Sequence, residues 1–142
     1  MDFDEMNRQV IDEFRANKGA VDEAAGGYFK GKPVLLVHTT GARTGAARVN
    51  PLMYLDEDGH RYVFASKGGA PDNPDWYYNL VANPDVTVDV GTESYPATAS
   101  VITGAERDRV YAEQSRHWPQ FGEYEQQTTR TIPVVELIPA QR

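Results

Sequence analysis

The chain has 142 residues, 40% hydrophobic and 25% charged, with a net charge of -7 and no cysteine. That size suits one domain with a core of its own. The lack of cysteine excludes disulfides and thiolate chemistry, and the acidity argues against general nucleic-acid binding, which needs a basic footprint. No apolar run approaches the ~20 residues of a membrane span. The acidic start, Met1 to Met6, lacks the basic and apolar regions of a signal peptide, so a cytoplasmic location is expected. His38, His60 and His117 lie far apart without ligand spacing, and no metal site is expected.

In chain order, Phe3, Met6, Val10 and Phe14 fall three or four apart, the period of an amphipathic helix over 3–16. Its opposite face is charged, which favours a helix covering the core over a peripheral membrane contact. Residues 17–33 read as a loop. Strands are expected at 34–39 and 49–55, then at 60–66 after the turn Asp56-Glu-Asp-Gly59, whose Asp-Gly is a hairpin signal. Asp72-Asn-Pro74 predicts a capped helix start, and Asn83-Pro84 its end. Strands at 86–90 and 94–102 follow. Thr103-Gly-Ala-Glu106 has capping-box spacing and opens a helix with Val110 and Tyr111 inward. Trp118-Pro119 breaks it, a short helix is expected over 121–128, and a last strand over 134–138. About six strands with short helices in the connections describe a small, barrel-like α+β domain rather than an alternating βαβ sheet.

Two stretches carry candidate chemistry. His38 to Arg48 holds Gly41, Gly45, three threonines, Arg43 and Arg48 between two strands. Glycines permit a concave nest of N–H groups, and the arginines offer forked hydrogen bonds to an anion. The same residues also read as a solvated hairpin. Their spacing matches neither a Walker loop nor GxGxxG. In the second stretch a strand ends in Ser66-Lys67-Gly68-Gly69 before a helix opens, offering a charge, close backbone approach and helix N–H groups. A plain loop and cap is the other reading. Lys30, Lys32, Arg43, Arg48 and Lys67 on an acidic background suit a small polyanion. Trp118, Phe121 and Tyr124 share one helical face, either as core or as a wall for a flat ligand. No acid–base pair or nucleophile stands out, which fits chemistry carried by a cofactor.

Six motifs, in order and correctly spaced over 30–138, closely resemble the deazaflavin-dependent nitroreductase family of actinobacteria: His38 to Gly45, Arg48 to Leu52, Ala65 to Pro71, Asn73 to Tyr77, Leu80 to Pro84 and Thr128 to Val135. Residues 1–29 carry no such motif. The resemblance implies a split β-barrel of about six mainly antiparallel strands, like FMN-binding proteins of the pyridoxamine-phosphate-oxidase type. It implies one domain over 1–142, with 1–29 an N-terminal helix and loop. It further implies reduced coenzyme F420 as hydride donor, a quinone, enone or nitro compound as acceptor, and an F420-reducing dehydrogenase as indirect redox partner. An FMN enzyme on the same barrel and a non-catalytic protein binding F420 or a lipid-like ligand are the alternatives.

Carried over by position, Arg43, Thr44, Arg48 and Lys67 would hold the cofactor's phosphate and oligoglutamate tail. Asn50, Pro51, Leu52 and Met53 would line the deazaflavin, Ala65, Ser66, Gly68 and Gly69 would approach its ring or ribityl chain, and Trp76, Tyr77 and Asn79 would close the wall. Met53, Trp118, Phe121 and Tyr124 would face the acceptor. The chain departs from the family's studied nitroreductase here, because of the three C-terminal helix positions that carry tyrosines there, only Tyr124 keeps a hydroxyl, and Met53 stands for a further tyrosine. Ser66 and Tyr124 are the candidates to hydrogen-bond the acceptor oxygen.

Overall fold

The structure, a computed structural model, describes residues 3–140, and their side chains from residue 5 onward. The elements are α1 (Phe3–Ala16), β1 (Val34–Thr40), β2 (Ala47–Glu57), β3 (His60–Phe64), α2 (Asp75–Ala82), β4 (Asp85–Val90), β5 (Glu93–Ile102), α3 (Gly104–His117), α4 (Gln120–Gln126) and β6 (Val134–Pro139). The six strands close a barrel in the order β1-β2-β3-β6-β5-β4, every pair antiparallel.

Period-2 alternation gives each strand an inner and an outer face. Leu35, Val37, Val63, Val88, Val135 and Leu137 fill the interior, which Trp76 and Leu80 of α2 extend. Two outer layers flank it. Val10 and Phe14 of α1 bury against Val34 and Leu36, so the amphipathic face of α1 is taken up by the barrel. Phe3, expected on that face, lies outside the described side chains. Val110 and Tyr111 of α3 and Phe121 of α4 pack on Met53, Leu55, Tyr62, Phe64 and Val134. Among the described residues no helix is long and apolar enough to cross a membrane.

The barrel is split along β2. This strand is longer than the expected 49–55 because it serves two neighbours in turn, β1 over residues 47–53 and β3 over 54–57. Its first half therefore has one neighbour, and Pro51, which cannot donate to a ladder, sits there. The Asp58-Gly59 turn forms as expected, both residues at positive φ.

Three local expectations need correction. The third strand stops at Phe64 rather than 66, because the backbone turns left-handed over Lys67, Gly68 and Gly69. Neither expected side-chain cap forms. Pro74 itself occupies the position before α2, while Asn73 accepts a hydrogen bond from Arg130. Gly104 opens α3 at φ +67°, outside the helical geometry that a capping box needs. The last helix spans Gln120–Gln126 rather than 121–128.

Candidate functional site

The turn after β3 is built by one arginine that the sequence reading left without a role. Arg130, in the segment before β6, donates from Nε to Ala70 O at 3.0 Å, from Nη2 to Ser66 O at 2.9 Å, and from Nη1 to Ala65 O at 3.1 Å and Asn73 Oδ1 at 2.7 Å. A planar fork of five donors can serve several carbonyls at once, where a lysine cannot. Three carbonyls of the turn thus face the guanidinium. Ser66 Oγ makes no hydrogen bond among the described residues. The signal for Arg130 lay in the Thr128 to Val135 motif, but its targets are some sixty residues away in sequence.

The two glycines of this turn differ. A Cβ on Gly69 would come within 3.0 Å of Gln127 Cβ and 3.1 Å of Tyr124 O, so this residue lets the turn lie against α4. A Cβ on Gly68 would meet no protein atom within 4 Å, although φ is +63°. The backbone at Gly68 is open toward the outside, and the turn abuts the helix that carries Tyr124.

The β1–β2 turn is tied to α2. Asn79 Oδ1 accepts the Ala42 N–H at 2.9 Å, and Asn83 Nδ2 donates to Thr40 O at 3.3 Å. Asn79 therefore holds the turn, and its carbonyl oxygen is already used. Arg43, Thr44, Arg48 and Lys67 are all exposed, and the three cations make no ion pair among the described residues. Arg48 stands opposite Thr39, whose buried Oγ1 has no partner. Both border a concavity of about 450 Å3 between β1, β2 and β4. A second concavity, of about 530 Å3 at the β2–β3 turn, sets four carboxylates, Glu57, Asp58, Glu106 and Glu136, against Arg109 and His60, and is unsuited to a polyanion. His60 is held above its ordinary pKa there, first by its hydrogen bond to Glu136 and then by that carboxylate's charge.

Several expected roles are redistributed by packing. Asn50 and Leu52 stand opposite Val37 and Leu35, on the interior face, whereas Pro51 and Met53 stand opposite Leu36 and Val34, on the outer one. Four consecutive strand residues cannot present their side chains to one ring. Asn50 Oδ1 is buried and unpartnered, an acceptor still lacking a donor. Ala65 and Trp76 belong to the interior core, and Tyr77 packs at its margin. On the acceptor side Met53 and Phe121 are core, with Trp118 and Tyr124 at the edge of the same cluster. Phe121 packs edge-on to Phe64 and Tyr111, so it would shape a pocket from behind.

Tyr124 is not the sole hydroxyl on that edge. Tyr28, from the loop before β1, places its Oη 3.1 Å from Tyr124 Oη. The Tyr124 phenol is pushed well above its ordinary pKa, chiefly by burial and then by this bond. The Tyr124 phenol is therefore an O–H group at neutral pH.

Six antiparallel strands split along one long strand define the fold class of the chain as a split barrel. The chain superposes on a Listeria innocua protein of the pyridoxamine 5'-phosphate oxidase type (14% identity, 76% of this chain and 84% of that one, TM-score 0.54) and on an FAD-binding protein of Mesorhizobium loti (19%, 76% and 79%, TM-score 0.52), likenesses of fold alone. Within that class the chain belongs to the F420H(2)-dependent quinone reductase family, whose profile matches residues 6–139. It is 41% identical over 109 residues to an F420H(2)-dependent quinone reductase of Mycobacterium tuberculosis, covering 74% of this chain and 72% of that protein. It also resembles an F420-H2 dependent reductase of known structure (40% identity, 74% of this chain and 93% of that one, TM-score 0.68). The family match starts at residue 6, so most of α1 and the following loop fall within the pattern that the motifs placed from residue 30.

Proposed function

We propose that this chain transfers a hydride from reduced coenzyme F420 to a quinone held between the Ser66–Gly69 turn and α4, with Arg43, Thr44, Arg48 and Lys67 on the cofactor's anionic tail. The observation that carries this reading is the turn itself. Its carbonyls are drawn off by Arg130, its backbone is open at Gly68, and it lies against the helix that bears Tyr124.

The residues present fit that cofactor. Three exposed cations without carboxylate partners among the described residues, on an acidic protein, suit a polyanionic tail. The unpartnered Asn50 Oδ1 suits a donor group on a bound ring. When bound, the reduced deazaflavin supplies the hydride. The chain's own contribution is to orient the reactants, which converts a bimolecular encounter into a near-unimolecular step. Ser66 Oγ and Tyr124 Oη are the hydroxyls available to an acceptor oxygen as it gains charge. Enones and nitro compounds present the same kind of oxygen and belong to the same proposal. A cytoplasmic F420-reducing dehydrogenase would return the cofactor to its reduced form.

Fluorescence titration with F420, and with FMN alongside, tests the reading. Arg43→Ala, Arg48→Ala and Lys67→Ala should each weaken F420 binding about two- to fivefold, the range for exposed charge pairs, and raised salt should do the same to the parent. Affinity indifferent to both charge and salt would remove the tail assignment.

A further inference from the structure

The hydroxyls of Tyr28 and Tyr124 form a two-membered chain that runs from the protein surface to the edge of the acceptor-side cluster. Tyr124 is half-buried, with its ring edge-on to Phe121 at 5.3 Å, on the helix that the Gly69 backbone abuts. Tyr28 is 44% exposed. Gln120 Nε2 donates to Tyr28 Oη at 3.4 Å, and Lys32 Nζ lies 3.8 Å from the Tyr28 ring centroid. Nor is the position accidental to a loose loop. The Glu13 carboxylate accepts the backbone N–H groups of Glu23 and Ala24, at 3.1 and 2.8 Å, and Phe29 packs into both outer layers.

Hydride transfer to a quinone leaves a proton to be found. The two electrons and the hydrogen nucleus arrive together, the product is a hydroquinone monoanion, and one further proton completes the hydroquinone. A phenol in the position of Tyr124, disinclined to ionise because it is partly buried, gives up its proton readily only if another replaces it in the same event. The second hydroxyl, 3.1 Å away and open to water, meets that requirement.

We propose that Tyr28 supplies this proton: as the acceptor oxygen takes the Tyr124 hydrogen, Tyr124 Oη takes the Tyr28 hydrogen, and water restores Tyr28. Two O–H bonds break and two form within the pair and the acceptor, solvent provides the net proton, and neither tyrosine is changed. The Lys32 ammonium beside the ring stabilises the charge that the pair carries in passing. Tyr28 acts through Tyr124 and touches no substrate. The inference rests on the acceptor lying beside Tyr124, as proposed above.

Tyr28→Phe keeps the ring and its contact with Lys32 and deletes one hydroxyl. In the F420-loaded enzyme with menadione, kcat should fall about five- to tenfold, since Tyr124 must then give up its proton without a concerted replacement and be restored by water in a later step. Menadione affinity, read from quenching of tryptophan fluorescence in protein carrying oxidised F420, should stay within about twofold of the parent, because a relay hydroxyl adds little to ground-state binding. A plot of kcat against deuterium content of the solvent should bow in the parent, where two protons move, and straighten in Tyr28→Phe. Slow turnover in Tyr124→Phe with parent-like turnover and a bowed plot in Tyr28→Phe would overturn the role of Tyr28 alone. Parent-like turnover in Tyr124→Phe would overturn the acceptor placement and the relay with it. A large loss of menadione affinity in Tyr28→Phe would mean that Tyr28 touches the acceptor directly, which also overturns the relay.

Discussion

Arg130 is the residue whose removal should separate the turn from the rest of the fold. Truncation to alanine removes all four hydrogen bonds. Ser66 O keeps a donor, the Gly69 N–H at 2.9 Å, but Ala65 O and Ala70 O lose theirs. Two carbonyls stranded in part-buried surroundings cost about 1–3 kcal/mol each, less whatever entering water restores, so about 2–4 kcal/mol is expected. With an unfolding entropy of about 2 cal/mol/K per residue, a chain of this length has about 0.3 kcal/mol/K, and Tm should drop by about 7–13 °C. The turn would also need reordering when cofactor binds. Fixing Lys67 and Gly68 alone costs about 2 kcal/mol or more, or about thirtyfold in F420 affinity. Thermal melts and F420 titration, each on Arg130→Ala and Arg130→Lys, measure the two effects separately. A variant that melts early yet binds F420 as the parent does would refute the claim that Arg130 prepares the turn for its ligand. A variant unchanged in both would show that the four hydrogen bonds contribute nothing net. Lysine, a single point of donation, should recover part of the stability and little of the affinity.

Further outcomes follow from the same geometry. Gly69→Ala should destabilise by about 1–3 kcal/mol in melts, since its Cβ meets Gln127 and the Tyr124 carbonyl at positive φ. Gly68→Val should lose most F420 affinity, because no described residue occupies the space its side chain would fill, and some stability through the strain of a β-branched residue at φ +63°. Normal F420 binding by Gly68→Val would leave the turn a mere connector. His60 is raised above its ordinary pKa by Glu136, so its contribution to stability is full below about pH 6.5, where the unfolded chain is protonated too, and is lost as pH rises through the folded value. His60→Gln should therefore lower Tm at pH 5.5 and leave it near the parent at pH 9. A constant difference across that range would remove the ion pair from the account.

The sequence by itself determined most elements, because local periodicity and turn chemistry act within a few residues. The continuous apolar run of β1, the Asp58-Gly59 hairpin and the inward Val110 and Tyr111 all follow from side chains adjacent along the chain. It also pointed to the class of ligand, since a cluster of cations and glycines on an acidic background is composition and order. Tertiary structure decided which atoms are free to act. Asn50, Pro51, Leu52 and Met53 read as one wall, yet the strand's two-residue period sends them to opposite faces. Trp76 and Phe121 read as ligand walls, yet the barrel and the outer layer bury them. Asn73 read as a cap, yet a guanidinium far along the chain claims its oxygen. Tyr28 lay in a loop without motif, and only the docking of that loop through Glu13 and Phe29 brings its hydroxyl beside Tyr124. Contacts between residues sixty or ninety-six positions apart leave no trace in local pattern, because they depend on how the barrel closes.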